Sequence, residues 1–131
     1  MAKLKLAVES LDVRGLVARE TLTGAVLRAA ELLRVSQGEL AEILGISAAS
    51  VSRMAGGRYL LEAETKEWQL GALFVRLFRS LDSITGGNEE LSRAWLRSEN
   101  AALHGVPAAM LGDVSGLVMV VQYLDASRAA V

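Results

Sequence analysis

Apolar residues recur in this chain at spacings of three and four almost from end to end, the interval that gathers them on one face of an α-helix, and no stretch alternates apolar with polar long enough for a useful strand. In residues 21–34, Leu22, Val26, Ala29, Ala30 and Leu33 share a face from which Arg28 and Glu31 are absent, which predicts an amphipathic first helix. Ser36, with Glu39 three positions on, forms a capping-box pattern ahead of Leu40, Ile43 and Leu44, so a second helix starts there. Gly45 suits a helix C-terminus that needs positive φ, and Ser47 can cap the next helix two residues later. The connection between them is therefore a tight turn, and Gly56 with Gly57 stops a short third helix. Residues 62–84 carry Leu70, Leu73, Phe74, Leu77, Phe78, Leu81 and Ile84, a long-helix pattern ended by Gly86 and Gly87. Asn88, followed by Glu89 and Glu90, caps another helix through about Arg97. Pro107 fits the first turn of a short helix ending at Gly112, and either Asp113 or Ser115 starts the last one.

Composition narrows what such a helical chain can be. Its 131 residues suit one domain or two very small ones sharing a core. At 52% hydrophobic and 22% charged it has slightly more apolar surface than a solitary small domain needs, which points to partners. The absence of cysteine excludes a disulfide framework and a thiolate metal site. No signal-peptide run is present, nor the roughly 18 uninterrupted apolar residues of a membrane span. These features predict a soluble cytoplasmic protein with no membrane partner. A net charge of −1 argues against non-specific coating of nucleic acid. Its distribution says more: residues 1–60 hold eight Lys/Arg against six Asp/Glu, and residues 61–131 hold six against nine. DNA contact therefore belongs to the first half and is weak per protomer, because affinity follows the phosphates neutralised, so oligomerisation would have to compensate.

The stretch GELAEILGISAASVSRMAGG, residues 38–57, has the makings of a DNA-reading module. In a helix-turn-helix the two helices cross closely, which requires a small residue at the crossing and a glycine about four residues later in the turn. Ala41 and Gly45 stand there, Ile46 and Val51 hold the angle, and Leu40, Leu44 and Met54 complete the apolar face. The pattern of Gln37, Ala41, Leu44, Gly45, Ile46, Ser47, Val51, Ser52 and Arg53 resembles the helix-turn-helix of the Xre/phage-repressor family. Two packed helices without a DNA role are the plainer alternative. For a DNA reader, the exposed face of residues 47–53 enters the major groove, while Gln37 and the N-terminus of its helix meet phosphate. The candidate DNA-binding residues are Gln37, Ser47, Ala48, Ser50, Ser52, Arg53 and Arg58, with Ala49 on the same face. Two alanines offer little beyond contact with thymine methyls, so sequence reading should be modest. Arg53 can read guanine, clamp a phosphate or pair with a glutamate of its own chain.

The second half carries its own pattern: Trp95-Leu96, Asn100, Leu103, Gly105, Pro107, Leu111 and Gly116 before an apolar helix. It resembles the C-terminal toxin-binding domain of the Xre/MbcA/ParS antitoxins, and the order of the two segments is that of the family. Two departures stand out, His104 where a second glycine is common and an ending of SRAAV instead of a terminal glycine. The resemblance implies an antitoxin that dimerises, binds the RES-type toxin made beside it and represses their shared promoter through operator DNA. RES-type toxins act on NAD, by consuming it or by transferring its ADP-ribose, so any NAD chemistry belongs to the partner and the chain itself needs no cofactor. The resemblance also implies that the antitoxin's C-terminal region obstructs the toxin's active site.

The last helix supports this independently. Between Val114 and Leu124 there is no charged residue, and Leu117, Val118, Met119, Val120, Val121, Tyr123 and Leu124 go around much of a helix, which must then be buried on most sides. Intramolecular packing, a twin chain or a toxin can each supply that cover. The tail from Asp125 to Val131 is either frayed or suited to insertion into a cleft. Tyr123, Asp125, Arg128 and Val131 are the candidate toxin-binding residues.

Catalytic readings find little support. His104 is the only histidine, no acid pair sits in an apolar setting, and neither TGGN nor AGGR is followed by Gly-Lys-Ser/Thr as a phosphate loop requires. GDVSG lacks the strand-turn-helix context of a serine nucleophile, and its Asp113 and Ser115 are better explained as caps. The expectation is therefore a non-enzymatic, all-α protein without metal or small-molecule substrate. Residues 1–60 would hold an N-terminal segment and an Xre-like helix-turn-helix bundle, and residues 61–131 the long connecting helix and a C-terminal helical toxin-binding and dimerisation unit. The second reading is a dimeric helix-turn-helix repressor without a toxin partner.

Overall fold

The computed structural model describes residues 2–130, with side chains apart from those of residues 3–12. Seven helices follow one another among the described residues: α1 (Ala2–Leu33), α2 (Gln37–Leu44), α3 (Ala48–Ala55), α4 (Lys66–Ile84), α5 (Glu89–Arg97), α6 (Pro107–Met110) and α7 (Val114–Ala130). The all-α fold class stands, and most helix ends lie where the caps put them. Two boundaries differ by a turn or more, and α6 ends at Met110, two residues short of Gly112.

The first difference is α1, which begins at Ala2 and not near residue 21. Its second half behaves as the pattern predicts: Val26, Ala29, Ala30 and Leu33 are buried and Leu22 is partly so, while Arg28 and Glu31 lie in water and pair loosely with each other at 3.7 Å. Upstream, no glycine or proline punctuates the chain strongly enough to stop the helix, because Gly15 costs only about 1 kcal/mol relative to alanine.

The second difference is α4, which starts at Lys66 with Thr65 as its cap, the Thr65 hydroxyl accepting from the Trp68 N–H at 3.2 Å. The chain before it is held open by α1. Thr23 Oγ1 accepts the Leu61 N–H at 3.0 Å, and Arg19 donates through Nε to the Leu61 carbonyl at 3.0 Å and through Nη2 to that of Leu60 at 3.3 Å. Those bonds satisfy backbone groups that a helical turn would otherwise use among themselves.

Helix α4 is the element that the rest shares. It crosses α1 at Gly71, where an added Cβ would stand 3.2 Å from both Val26 Cγ2 and Leu61 Cδ1, so the absent side chain is what lets the helices meet. Phe74, Leu77 and Leu81 are fully buried along it, each stabilising the fold by roughly 1.5–3 kcal/mol. Helix α2 packs against it, α3 packs on α2 and α1, and α7 packs along it. Helix α7 buries one face, Leu117, Val120, Val121 and Leu124, instead of most of its circumference. Met119 and Val114 remain exposed, and the cover α7 receives within the chain comes from α4, α6 and Trp95 of α5.

Candidate functional site

The α2–α3 hairpin is built by its caps. Ser36 Oγ accepts the Glu39 N–H at 3.1 Å while Glu39 Oε1 accepts the Ser36 N–H at 3.0 Å, the reciprocal box the sequence predicts. Gly45 adopts φ 68°, a left-handed conformation that costs a side-chain-bearing residue about 1–2 kcal/mol, and the Ile46 N–H then returns to the Ala41 carbonyl at 3.1 Å. Ser47 Oγ accepts the Ser50 N–H at 3.0 Å and opens α3 at once. Ala41, Leu40 and Leu44 from α2 and Val51 and Met54 from α3 are buried, which leaves the opposite face of α3 to solvent.

That face carries Ser47, Ala48, Ala49, Ser52 and Arg53, all exposed, with Ser50 half-buried among them. Arg58 is exposed just beyond, and Gln37 is exposed at the first position of α2. The predicted DNA-side residues are thus all exposed apart from the half-buried Ser50. Three of them are already linked: the Ser47 hydroxyl donates to Ser50 Oγ at 3.0 Å, and Arg53 Nη2 donates to the same oxygen at 3.0 Å. Among the described residues Arg53 has no carboxylate partner, so the glutamate pairing considered for it is replaced by a hydroxyl contact that a phosphate can readily displace.

The hairpin is also gripped from the second half of the chain, a feature no local pattern announces. Arg97, in the last turn of α5, forks onto the capping carboxylate of α2, Nη1 to Glu39 Oε2 at 2.7 Å and Nη2 to Oε1 at 2.9 Å, and its Nη2 also donates to the Arg34 carbonyl at 3.2 Å. One turn earlier, Arg93 Nε donates to the Leu32 carbonyl at 2.8 Å. The guanidinium beside Glu39, chiefly through its hydrogen bonds and aided by the Ser36 N–H, holds that carboxyl down at about 2 against the opposing effect of burial, and the ion pair in turn raises the pKa of Arg97. Two arginines of α5 therefore satisfy the end of α1 and the start of α2.

The C-terminal segment organises around short loops. Asn100 and Gly105 pair as an isolated antiparallel bridge, and Asn100 Oδ1 accepts the Leu103 N–H at 3.1 Å, which closes the tight loop carrying His104. His104 sits at φ 58°, which is why glycine is the natural occupant of that position. Pro107 takes the first position of α6 and is buried. Asp113, rather than Ser115, caps α7: its Oδ2 accepts the Gly116 N–H at 3.2 Å and the Ser115 hydroxyl at 2.6 Å, and these two bonds lower its pKa. Gly116 lies against α6 so closely that a Cβ there would overlap the Met110 carbonyl oxygen.

The four residues singled out at the end of the chain separate in the structure. Tyr123 is half-buried and stacks on Trp95 with ring centroids 6.2 Å apart. Asp125 is a tie inside the molecule, accepting from the buried Ser80 hydroxyl at 2.8 Å and pairing with Arg76 at 2.7 Å. Arg128 is exposed on the last turn, and Val131 lies outside the described residues. The backbone is helical through Ala130, so the described tail is neither frayed nor extended. No helix among the described residues is long and apolar enough to cross a membrane, and no cluster of His, Cys, Asp or Glu among them could hold a metal ion.

Two family models match the chain. Residues 7–76 match the antitoxin Xre-like helix-turn-helix domain, and residues 80–129 match the antitoxin Xre/MbcA/ParS C-terminal toxin-binding domain. No curated protein matches it.

Proposed function

The chain belongs to the Xre/MbcA/ParS antitoxins, and on that premise we propose that its partner is a RES-type toxin acting on NAD, while its helix-turn-helix binds the operator of the operon encoding both. An antitoxin role in a toxin–antitoxin system, with a toxin-binding domain and a helix-turn-helix, follows from the family itself, as does a regulatory and non-catalytic character. In this reading the C-terminal end of α7, with Tyr123 and Arg128 beside it and Val131 beyond, obstructs the cleft in which the toxin holds its anionic dinucleotide. Asp125 contributes by fixing that end to α4 through Ser80 and Arg76. The NAD chemistry belongs wholly to the toxin. The chain acts as a dimer, since two hairpins are needed to read successive major-groove faces about 34 Å apart.

The observation that carries the reading is the tandem order of the two matches on one chain. The exposed serine-rich face of α3 supports operator binding, and the last turn of α7, free of the core, supports obstruction of a cleft. The test is growth and cellular NAD in cells expressing the RES-type toxin encoded beside this chain. NAD should collapse with toxin alone and recover when the full chain is present. A chain ending at Asp125 keeps the α4 tie and should fail to restore it; unchanged rescue by that truncation would remove the insertion mechanism.

A further inference from the structure

One surface lies mostly outside the two proposed interfaces and meets the toxin-facing end of α7 only at Arg128 and Arg76. From the crossing at Gly71, α1 and α4 diverge and leave a groove of about 770 Å³. Val13, Val17, Ala18, Leu22 and Ala25 of α1 form one wall and Ala72 and Val75 of α4 the other, a mostly apolar lining. Arg14, Arg76, Arg79 and Arg128 stand around it, and of these only Arg76 has a carboxylate partner among the described residues. Val13 is 61% exposed, Val17 55% and Leu16 47%, three branched apolar residues within five positions of one helix. A solvent-facing apolar cluster of this kind on a small protein marks an interaction surface.

The same helix raises a second question. Its first turns run from Ala2 to the groove as the end of a 32-residue helix, and helical stability in proteins comes mostly from packing of an apolar face. In the sequence that segment reads Leu4, Val8 and Leu11 at helical spacing, with Glu9 and Asp12 between and beyond them and Lys3 and Lys5 at its start. It offers an apolar groove a stripe of Leu and Val, with its two carboxylates at the end nearer Arg14 and its two lysines at the other. It cannot reach the groove of its own chain, because it continues straight into the residues that form one wall.

We propose that the groove is occupied by residues 2–12 of a second copy of this chain, with the two α1 helices packed antiparallel so that each copy's first turns lie in the other's groove. One chain carries both halves of a complementary pair that cannot meet intramolecularly, which is the condition for an isologous two-fold contact. The lengths agree: at 1.5 Å per residue the arm spans about 16 Å and the wall from Val13 to Ala25 about 19 Å. The order of charges agrees as well. Antiparallel packing places Asp12 of one copy beside Arg14 of the other near the two-fold axis, and Lys5 toward Glu20, so that neither pairing sets like charges together. This surface rests on the reading that the chain is dimeric and gives that dimer a location away from α3.

The test is the mass of the full-length chain by light scattering across a dilution series, with circular dichroism to establish folding. The wild type should be a dimer. Val17→Glu, at a solvent-facing helical position, should fold normally and raise the dimer dissociation constant at least about 30-fold. Arg14→Asp should weaken it, and combining Arg14→Asp with Asp12→Arg should restore it. A wild type that stays monomeric throughout overturns the dimer reading and this surface together. A dimer indifferent to Val17→Glu leaves the dimer standing and overturns the surface. Loss of toxin binding by Val17→Glu with the dimer intact assigns the groove to the toxin and equally overturns the proposal.

Discussion

Helices α3 and α7 each bury one face against the same core, and their outward faces are opposites. What α3 shows to water is Ser47, Ala48, Ala49, Ser52 and Arg53, small and polar with a single cation, whereas α7 shows Val114, Met119 and a partly exposed Val118 beside the uncharged Ser115 and Gln122, before a short mixed end. A surface of hydroxyls with one guanidinium fits the phosphate-rich flank of a DNA groove and carries little base-reading power. A surface of branched and thioether side chains fits another protein. The lesson is that one core can present two unlike chemistries if each is placed on its own helix. The Arg97–Glu39 fork is one of the places where the two halves touch, beside the Arg93 bond to Leu32 and the α1–α4 crossing.

The contrast can be broken most severely at Gly116. Replacement by alanine drives a methyl into the Met110 carbonyl, detaching α6 from α7, and should cost about 3 kcal/mol, read as a drop of roughly 10 °C in thermal midpoint, while the α2–α3 hairpin keeps its helicity. The mirror experiment is Arg53→Ala. Operator affinity should fall about tenfold and the salt slope by about one, with toxin binding and melting temperature unchanged; a slope identical to wild type in a salt titration removes Arg53 from the DNA face.

His104→Gly relieves the left-handed backbone at φ 58° and should stabilise the C-terminal unit by up to about 1 kcal/mol, measured by urea unfolding; a loss of stability would mean that the imidazole itself matters there. The smallest effect at neutral pH belongs to the fork. Glu39 titrates at about 2 in the folded chain against 4.5 when free, so its contribution is fully present above about pH 4.5 and is lost as pH falls toward 2. Its side chain is 37% exposed, so solvent screens the pair and the acid sensitivity it adds is modest. Glu39→Gln should flatten the stability curve in that window. An unchanged slope between pH 4.5 and 2 would leave the fork without energetic consequence.

Local rules made much of this legible. The Ser36 box, the left-handed Gly45, the Ser47 and Asn88 caps and Pro107 at the head of α6 are decided within four residues of themselves, and the structure places each where its chemistry requires. What escaped was decided at a distance. The late start of α4 depends on Thr23 and Arg19 some forty residues away, and the grip of Arg93 and Arg97 on the hairpin spans about sixty. No periodicity encodes such a pairing, because either arginine reads equally well as a solvated helix residue. The upstream half of α1 escaped for another reason, since its apolar residues fall on more than one face and blur the stripe that marks residues 22–33. Asp125 was legible as a charged residue near the end of the chain, while its attachment to Ser80 was not.

The central claim, two interfaces that can be lost separately, is tested most directly by one paired binding measurement. The wild type, Arg53→Ala and the chain ending at Asp125 are each titrated against the proposed operator fragment and against the proposed RES-type toxin. The account predicts that Arg53→Ala loses operator affinity and keeps the toxin, and that the truncated chain keeps the operator and loses the toxin. Truncation that leaves toxin binding at the wild-type level, or either variant losing both partners together while remaining folded, would contradict it.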